Sequence, residues 1–255
     1  MNNMYNPFSI TGKIILITGA GGGIGRATAI ECSKMGAHVV ITDINGQALE
    51  ETLALLDTQN GQHPQMFVAD LTDESQLDEL VAPLPVLDGV VSNAGISKVL
   101  PIQFLNTQDM DKIMSINAFA PMYLTQKLYK KKKIQKGGSI VFTVSISGVC
   151  MVSMGGVMYA VSKNALDAFM RNAALEFASR SIRVNSVNPS RVNTPLIKAN
   201  TSYSEEDLAK DMLTYPLRRY AEPEEIAHAI IYLLSDASSY VTGHSLIIDG
   251  GKTLM

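Results

Sequence analysis

Apolar runs that predict β-strands alternate with helical patterns from one end of the chain to the other. The predicted strands are Lys13–Thr18, His38–Asp43, Met66–Ala69, Leu87–Ser92, Ser139–Val144, Arg183–Val187 and Ser245–Ile248. The predicted helices are Ile24–Met35, Gln47–Leu56, Thr107–Lys132, Val157–Ser179, Glu205–Leu213 and Glu222–Leu234. Helices rather than tight hairpins separate consecutive strands, so the pattern predicts right-handed crossovers and a parallel sheet with helices on both faces. The fold class is therefore α/β, with about seven strands.

Neither a Pro/Ser-rich linker nor an internal repeat interrupts this alternation, so residues 1–255 are predicted to form a single domain. A chain of this length buries a continuous core. One segment departs from the rhythm: residues 192–215 are polar and form a longer connection than usual, with a short helical pattern inside. Long connections in compact domains often cover a site. We therefore expect a substrate lid at about 192–215.

The bulk properties of the chain exclude several classes of protein. Its net charge is −3 and its isoelectric point is near 5.8, which favours neither nucleic acid nor an anionic membrane as a partner. No apolar run approaches the roughly 20 residues that a membrane-spanning helix needs. The segment Met1–Phe8 lacks the basic and apolar regions of a secretory signal. We expect a cytoplasmic protein.

Cysteines and histidines indicate neither a disulfide framework nor a metal site. Cys32 and Cys150 are the only cysteines, and we expect two buried thiols, although the sequence leaves a disulfide open. Histidines 38, 63, 228 and 244 are scattered without the spacing of metal ligands. We therefore assign no metal.

A glycine-rich loop follows the first predicted strand and opens the first predicted helix. After Thr18 it reads Gly19, Ala20, Gly21, Gly22, Gly23, Ile24 and Gly25. Glycines let the backbone approach phosphates closely, and the following helix offers free N–H groups and a positive dipole. The strict G-x-G-x-x-G fingerprint is absent, but T-G-x-x-x-G-I-G stands in the strand–loop–helix context that dinucleotide binding needs. The loop predicts a Rossmann-type, doubly wound sheet.

An acidic residue closes the second predicted strand. Asp43 lies 18 residues after Gly25, near the place where a carboxylate accepts hydrogen bonds from the adenosine ribose. It would repel a 2′-phosphate, and the residues that follow, Ile44 and Asn45, are not basic. Charged hydrogen bonds of roughly 1.5–3 kcal/mol predict a tenfold to hundredfold preference for NAD(H) over NADP(H). The alternative is that Asp43 caps the next helix, and Arg26 is the one nearby cation that would meet a phosphate.

Tyr159 and Lys163 stand four residues apart at the start of a predicted helix, so both side chains project from one face. A phenol has an ordinary pKa of about 10, and a neighbouring ammonium together with the positive nicotinamide ring would lower it toward neutrality. The pair follows an apolar strand that ends near Ser145. This arrangement is typical of proton transfer to and from a hydroxyl group.

Several of these motifs, taken in order, closely resemble the signatures of classical short-chain dehydrogenases/reductases. They are Thr18–Gly25, Asn93-Ala94-Gly95, Asn117, Ser145, Tyr159-x-x-x-Lys163 and Asn188-Pro189, and the likeness continues to Asp249-Gly250-Gly251. The resemblance spans nearly the whole chain. It implies an oxidoreductase that transfers hydride between a nicotinamide cofactor and a secondary alcohol or ketone, assembled as a homotetramer through the Val157–Ser179 helix and the last strand.

The same resemblance implies a role for each matching residue. Tyr159 would exchange the substrate proton, Lys163 would bind the nicotinamide ribose and lower the Tyr159 pKa, Ser145 would hydrogen-bond the substrate oxygen, and Asn117 would order a relay water. Around the cofactor, Asp70 and Leu71 would contact the adenine, the segment Asn93-Ala94-Gly95 would lie beside the adenosine ribose, and Pro189, Val192 and Thr194 would lie at the nicotinamide. Candidate substrate contacts are Ser145, Ser147, Met151, Met154 and Tyr159, with Met158 nearby.

Two departures from the family pattern affect the site. Ser190 stands where the family has glycine after Pro189, so a side chain must fit beside the nicotinamide. Ser145 precedes Tyr159 by 14 residues, one more than usual, and Ser147 is a rival for the serine role. The strand-end position and Gly148 favour Ser145.

Two other functions remain open. The run Lys130–Lys133 most simply ends a helix, where cations complement the dipole, but an acyl carrier protein would also bind such a cluster. The first alternative is therefore a 3-oxoacyl-carrier-protein reductase that uses NADPH, against which Asp43 argues. The second is a non-catalytic NAD-binding sensor or scaffold, which would not need all four catalytic residues.

Overall fold

The computed structural model describes residues 5–59, 61–195 and 204–255. In this part of the chain, seven parallel strands form one sheet: β1 Ile14–Thr18, β2 His38–Asp43, β3 Gln65–Val68, β4 Leu87–Ser92, β5 Ile134–Thr143, β6 Arg183–Pro189 and β7 Ser245–Ile248. Their order is β3-β2-β1-β4-β5-β6-β7, so the direction of winding reverses between β1 and β4. The carboxyl ends of strands at such a reversal form a ligand crevice. The predicted single doubly wound domain is confirmed.

The α-helices among the described residues pack against both faces of this sheet. They are α1 Gly23–Lys34, α2 Gly46–Ala54, α3 Glu74–Val81, α4 Thr107–Met114, α5 Ala120–Lys130, α6 Val157–Phe177, α7 Glu205–Met212 and α8 Pro223–Leu234. Successive strand residues point to opposite faces. Leu16 and Phe142 therefore pack with α3, α5 and α6, whereas Ile17 and Val141 pack with α1, α2 and α8. Burial on both faces explains why the strands read as continuous apolar runs.

The single long helix predicted over Thr107–Lys132 is wrong, because a wide π-helical turn at Ser115–Phe119 separates α4 from α5. Pro121 has no N–H to donate to the carbonyl of Asn117 four residues earlier, which interrupts the α-helical hydrogen-bond pattern. π-helical turns of this kind are frequent at functional sites. The turn places Asn117 in the interior of the protein, where it is fully buried.

Two further boundaries differ from the predictions. β5 begins at Ile134, five residues earlier than expected, because Ile134 pairs with Leu87 before a register shift in the ladder. The glycines 137 and 138 hide this strand start in the sequence. Helix α3 was not predicted, and the Asp73 side chain caps it by accepting the N–H of Gln76.

The predicted lid lies partly outside the described residues, since 196–203 are not described. Val192 at its start forms a β-bridge with Ala221, and the predicted helix Glu205–Leu213 is present as α7. Among the described residues, no helix combines the length and apolar character needed to cross a bilayer.

Candidate active site

The loop Gly19–Gly22 connects β1 to α1 at the carboxyl edge of the sheet. Gly19 has φ +65°, and a Cβ there would lie 2.7 Å from the Cα of Ala94. A Cβ on Gly25 would lie 2.1 Å from the Gly19 carbonyl oxygen. These two positions require glycine because the loop, the end of β4 and α1 approach too closely for a side chain.

The face of the loop at Gly22 is open. A Cβ on Gly22 would meet no atom within 4 Å, and no side chain caps the N-terminus of α1. Its first-turn N–H groups are therefore available to an anion. Ile24, the next residue but one, turns away and packs against the apolar core. The loop thus has the open backbone surface that a pyrophosphate needs.

Asp43 contacts the glycine loop directly. Its Oδ2 accepts the N–H of Gly21 at 2.9 Å, and its Oδ1 accepts the N–H of Asn45 at 2.9 Å. The cap of α2 is Asn45, whose Oδ1 accepts the N–H of Ala48. The alternative role of Asp43 as the cap of that helix is therefore wrong. Ile44 beside it is exposed.

Arg26 is held by protein groups of α1, α2 and the glycine loop. Its guanidinium donates to the Gly21 carbonyl at 2.6 Å and to Thr52 Oγ1 at 2.9 Å, and it pairs with Glu51 at 3.0 Å. These contacts fasten the loop to α2. They leave Arg26 engaged in structure rather than directed to a ligand phosphate.

The segments after β3 and β4 complete the edge of the cleft. Asp70 Oδ1 accepts the N–H and the hydroxyl of Thr72, and Leu71 packs against the core. The N–H groups of Asn93 and Ala94 both donate to Thr18 Oγ1, at 3.0 and 3.1 Å. Thr18 therefore locks the β4 segment to the glycine loop, a role that sequence reasoning missed.

Gly95 brings the cofactor side and the catalytic side of the site together. A Cβ on this residue would lie 3.2 Å from Asn117 Oδ1 and 3.4 Å from Lys163 Nζ. The Asn117 side chain accepts the N–H of Ile96 at 2.8 Å and donates to its carbonyl at 2.9 Å. Its second amide hydrogen goes to Ser162 Oγ at 3.0 Å. The contacts with Ile96 and Ser162 cross between elements, and the sequence carries no spacing signal for them.

Tyr159 and Lys163 lie on the first turns of α6, as predicted. Lys163 Nζ lies 5.7 Å from the centroid of the Tyr159 ring and donates to the Thr143 carbonyl at 2.7 Å. Lys163 is buried, and this desolvation lowers its pKa from 10.5 to about 8. Burial of the ammonium therefore favours its neutral form.

Burial also dominates the electrostatics of Tyr159. It raises the pKa of the phenol to about 12, and a hydrogen bond with Ser145 opposes this rise only in part. In the protein chain alone the loss of hydration dominates, and the Lys163 ammonium is directed to the Thr143 carbonyl. The predicted lowering of the Tyr159 pKa by the ammonium and the nicotinamide ring together stays a prediction for the enzyme with its cofactor bound.

Of the two candidate serines, Ser145 is the one bonded to Tyr159. It lies two residues beyond β5 and is buried. Ser147 donates its backbone N–H to Ser145 Oγ at 3.0 Å and forms a β-bridge with Met151. The geometry thus favours Ser145 over Ser147 as the hydroxyl beside the phenol.

The segment after β6 closes the cleft opposite the glycine loop. Val192 and Thr194 are buried, and a Cβ on Gly23 would lie 3.1 Å from Thr194 Cγ2. A cleft of about 460 Å³ runs between the glycine loop and residues 193–195. Ser190 after Pro189 has no positive φ, so a side chain fits there without backbone strain.

The predicted substrate residues lie in the loop between β5 and α6. Met151 is half-buried, Met154 is 96% exposed, and Met158 is fully buried. A second loop, 95–105, touches this one where Leu100 donates its N–H to the Gly155 carbonyl at 2.9 Å. The two loops therefore pack together, and the first of them leads directly into α6, ending three residues before Tyr159.

Cys32 is buried and its pKa is raised by that burial, but Cys150 is exposed, so the prediction of two buried thiols is wrong for Cys150. The loop position of Cys150, outside the sheet and helices, explains this. Both thiols are free. Among the described residues, no group of three or more His, Cys, Asp or Glu side chains is arranged to hold a metal ion.

Comparison with known proteins agrees with this geometry. A family model described as "Enoyl-(Acyl carrier protein) reductase" matches residues 19–253. The 3-oxoacyl-(acyl-carrier-protein) reductase of Rickettsia bellii is 36% identical over an alignment of 249 residues, covering 96% of this chain and 99% of the relative. Levodione reductase of Leifsonia aquatica is 32% identical over an alignment of 255 residues, covering 95% of each chain.

A solved structure matches over a similar length. The crystal structure of levodione reductase superimposes with a TM-score of 0.86 at 31% identity, covering 96% of this chain and 98% of the other. Sequence likeness, the order of the strands and the arrangement of Tyr159 and Lys163 therefore all indicate the same family. This chain belongs to the short-chain dehydrogenase/reductase family and is an oxidoreductase that acts on CH–OH groups with a nicotinamide cofactor.

Proposed function

We propose that this enzyme transfers hydride reversibly between NAD(H) and a secondary alcohol or ketone. The observation that carries the proposal is the convergence of Ser145, Tyr159 and Lys163 beside the glycine loop, at the carboxyl edge of the sheet. When bound, the nicotinamide supplies or accepts the hydride. The protein holds the oxygen of the substrate and moves its proton.

Tyr159 is the proposed proton donor and acceptor. In reduction its phenol proton passes to the carbonyl oxygen as hydride adds to the carbonyl carbon, and oxidation reverses both transfers. Ser145, already bonded to the phenol, is placed to donate to the same oxygen and stabilise its developing charge. In the oxidation direction Tyr159 must act as a phenolate, and the positive nicotinamide ring of NAD+ together with the Lys163 ammonium would lower its raised pKa.

Lys163 and Asn117 are the proposed supports of this proton transfer. Lys163 would bind the nicotinamide ribose. Its ammonium lies beside the Tyr159 ring and uses one of its three hydrogens for the Thr143 carbonyl, which supports that role. Asn117 would order a relay water near Lys163. Its closeness to Lys163 across Gly95 supports this assignment.

We propose NAD(H) as the preferred cofactor. The Asp43 carboxylate at the glycine loop is suited to accept the adenosine ribose hydroxyls and to repel a 2′-phosphate. Arg26, the one candidate phosphate ligand nearby, is already bound to Gly21, Thr52 and Glu51. NADP(H) is the alternative cofactor, because 3-oxoacyl-(acyl-carrier-protein) reductases are among the relatives.

The rest of the cofactor would lie along the same crevice. We propose that Gly19–Gly25 hold the pyrophosphate, that Asp70 and Leu71 contact the adenine, and that Asn93–Gly95 lie beside the adenosine ribose. Pro189, Val192 and Thr194 would fix the nicotinamide. The closeness of Thr194 to Gly23 supports this arrangement, because it brings the nicotinamide segment next to the loop that would hold the pyrophosphate.

An acyl carrier protein is a poorer fit as partner. The run Lys130–Lys133 lies between the end of α5 and the start of β5, the edge of the sheet opposite Ser145. Lys127 and Lys131 pair with Asp78, and Lys133 Nζ is bound to the carbonyls of Ala82 and Leu84. A carrier protein bound there would face away from the cleft.

The mouth of the cleft favours a substrate with an apolar body. Loops 95–105 and 146–156 contain a single charged residue, Lys98, which pairs with Asp109 at 2.6 Å. Val99, Val152 and Met154 are 58, 85 and 96% exposed. Such a rim would bury alkyl or ring carbons of a ketone and offers little to the hydroxyls of a sugar.

The test is oxidation of NADH, and separately of NADPH, with a panel of acetoacetyl thioesters, ketosteroids, keto-sugars and small diketones. We expect turnover with NADH that disappears in Tyr159→Phe. The matched control is Tyr240→Phe, because Tyr240 is fully exposed. Preference for NADPH with the thioester would favour the carrier-protein reductase. NADH binding without turnover across the panel would favour a sensor.

A homotetramer and a cytoplasmic location are part of the same proposal. Likeness to the family supports the first, through α6 and β7. The cytoplasmic location is consistent with the acidic isoelectric point, because an acidic protein is not attracted to anionic membranes. Sedimentation would measure the assembly.

A further inference from the structure

A line of buried polar side chains runs behind Ser145, on the side away from the cleft. Asp167 on α6 is 6% exposed, and Ser186 and Asn188 on β6 are fully buried. None of these three residues has a role in the chemistry proposed above. Buried polar groups are costly unless they are paired, so their arrangement needs an explanation.

The backbone of Ser145 lies just past the paired part of its strand. The last pair of the β5–β6 ladder is Thr143 with Val187. Beyond it, the N–H groups of Val144 and Ile146 still donate to β6 carbonyls, at 2.9 and 3.1 Å. The Ser145 carbonyl is met instead by a side chain, since Asn188 Nδ2 donates to it at 3.3 Å. The Asn188 amide thus supplies a hydrogen bond from β6 to the backbone at Ser145, where the paired part of β5 has ended.

Ser186 fixes the orientation of the Asn188 amide. With its NH₂ group directed at Ser145, Asn188 presents Oδ1 to a donor, and the Ser186 hydroxyl lies 2.9 Å away. If the amide were rotated by half a turn, its oxygen would face the Ser145 carbonyl oxygen. The Ser186 hydroxyl therefore selects the orientation in which Asn188 supports Ser145.

Asp167 anchors the outer end of the line. Its Oδ1 lies 3.2 Å from Ser186 Oγ and accepts the hydroxyl of Ser245 at 2.5 Å. Its Oδ2 accepts Arg171 Nε at 3.0 Å, and Arg171 also bonds Ser245 Oγ at 3.0 Å. The carboxylate is thus paired and joins α6 to β7, and since the single hydrogen of the Ser186 hydroxyl goes to Asn188 Oδ1, Asp167 borders that hydroxyl without a second bond to it. Charge-assisted bonds of this kind are among the stronger ones in proteins.

We propose that Asn188 is a positioning residue, oriented by the Ser186 hydroxyl, that sets the place of Ser145 relative to Tyr159. This inference rests on the proposed function, in which Ser145 hydrogen-bonds the substrate oxygen. Ser145 Oγ also accepts the N–H of Ser147, so the hydroxyl and the loop that begins with Ile146 depend on the same support. A shift of the backbone here would misdirect the hydroxyl, while the glycine loop and Asp43 lie on other elements.

The first test is a double-mutant cycle between Asn188→Ala and Ser145→Ala, with kcat, KM for ketone and KM for NADH measured in each variant. Loss of one donor to a developing oxyanion lowers kcat by about 100-fold or more, and that is the effect we expect for Ser145→Ala. Asn188→Ala should lower kcat about tenfold with an unchanged KM for NADH. In the Ser145→Ala background, Asn188→Ala should change kcat less than twofold.

Equal effects of Asn188→Ala in both backgrounds would overturn the proposal, because the residue would then act on the fold and not through Ser145. Near-normal kcat in Ser145→Ala would overturn it too. Absence of turnover in the wild-type enzyme would contradict the proposed function itself, so the two failures are distinguishable.

A second pair of variants keeps the test decisive if Asn188→Ala does not fold. Ser186→Ala removes only the hydroxyl that orients the amide, and we expect a three- to tenfold lower kcat with an unchanged KM for NADH. The control is Ser139→Ala, a buried serine of β5 whose hydroxyl bonds the Leu233 carbonyl near the other end of the sheet. The same loss of kcat in both variants, or none in Ser186→Ala, would overturn the proposal.

Discussion

Lys163 Nζ lies 5.7 Å from the centroid of the Tyr159 ring and donates to the Thr143 carbonyl at 2.7 Å. On this face of α6, Lys163 is buried and Tyr159 is half-buried. Burial moves their pKa values in opposite directions, to about 12 for the phenol and about 8 for the ammonium. Near pH 7 the phenol is therefore neutral, and the lysine remains mostly an ammonium that loses its proton more easily than usual.

Stability should rise with pH because of Lys163. Its pKa is about 8 when folded and 10.5 ordinarily, so between these values the unfolded chain binds more protons and the folded state gains stability as pH rises. From pH 7 to 9.5 this gain is about 2 kcal/mol. Urea unfolding should show that Lys163→Met lacks it. Lys136→Met, at an exposed lysine of β5, should keep it.

The useful pH window for that experiment ends near 10. Above it the Tyr159 phenol, with its pKa raised to about 12, holds a proton that the unfolded chain has lost, so further increase in pH destabilises the folded state. A stability difference between the wild-type enzyme and Lys163→Met that stays constant from pH 7 to 9.5 would contradict the lowered lysine pKa.

Asp43 should select the cofactor. Replacing it with Ala removes both the acceptor for ribose hydroxyls and the charge that repels a 2′-phosphate, and we expect the NADH/NADPH ratio of kcat/KM to fall about tenfold to a hundredfold. Since Asp43 also accepts the Gly21 N–H, Asp43→Asn serves as a control that keeps an acceptor and loses the charge. An unchanged ratio in both variants would show that Asp43 does not read the ribose.

Two glycines of the same loop should respond differently to alanine. A Cβ on Gly22 meets nothing within 4 Å, whereas one on Gly25 would lie 2.1 Å from the Gly19 carbonyl oxygen. We expect Gly22→Ala to leave the Tm within about 1 °C of wild type and to weaken NADH binding at least tenfold, since a methyl group would stand where phosphate approaches. Gly25→Ala should lose stability as well.

Calorimetry and fluorescence titration with NADH measure these two quantities separately. If Gly22→Ala bound NADH as tightly as the wild-type protein, the open face of the loop would not be the phosphate site. A normal Tm in Gly25→Ala would mean that the loop relaxes enough to admit a methyl group there.

The alternation of strands and helices along the chain and the catalytic pair could be predicted from sequence because both depend on short-range patterns. Lys163 follows Tyr159 by one helical turn, and the glycine loop follows its strand directly. The break in the long helix was also readable, since Pro121 removes the N–H that the carbonyl of Asn117 would accept. Side-chain contacts between different strands and helices could not be predicted from the sequence. Asn188 meets Ser145 only because β6 pairs with β5, a fact of tertiary structure.

Exposure was the other property that sequence could not supply. Cys150 and Met154 are apolar or weakly polar residues, and composition alone places such residues in a core. Both lie in the loop between β5 and α6, outside the regular elements, and are exposed. For Cys150 this exposure corrects the expectation of a buried thiol, and for Met154 it leaves the side chain free to contact a substrate, as proposed.

The rate should therefore depend on the apolar length of the ketone. Each methylene buried from water contributes about 0.8 kcal/mol, so kcat/KM should rise up to about fourfold per added CH₂ along a series of alkyl ketones until the rim is covered. Met154→Gln and Val152→Thr should flatten this slope while leaving kcat/KM for the shortest ketone within about twofold. Leu55→Gln, at an exposed leucine just after α2, is the control. A flat slope in the wild-type enzyme, together with turnover of keto-sugars, would show that the rim of Val99, Val152 and Met154 does not contact the substrate.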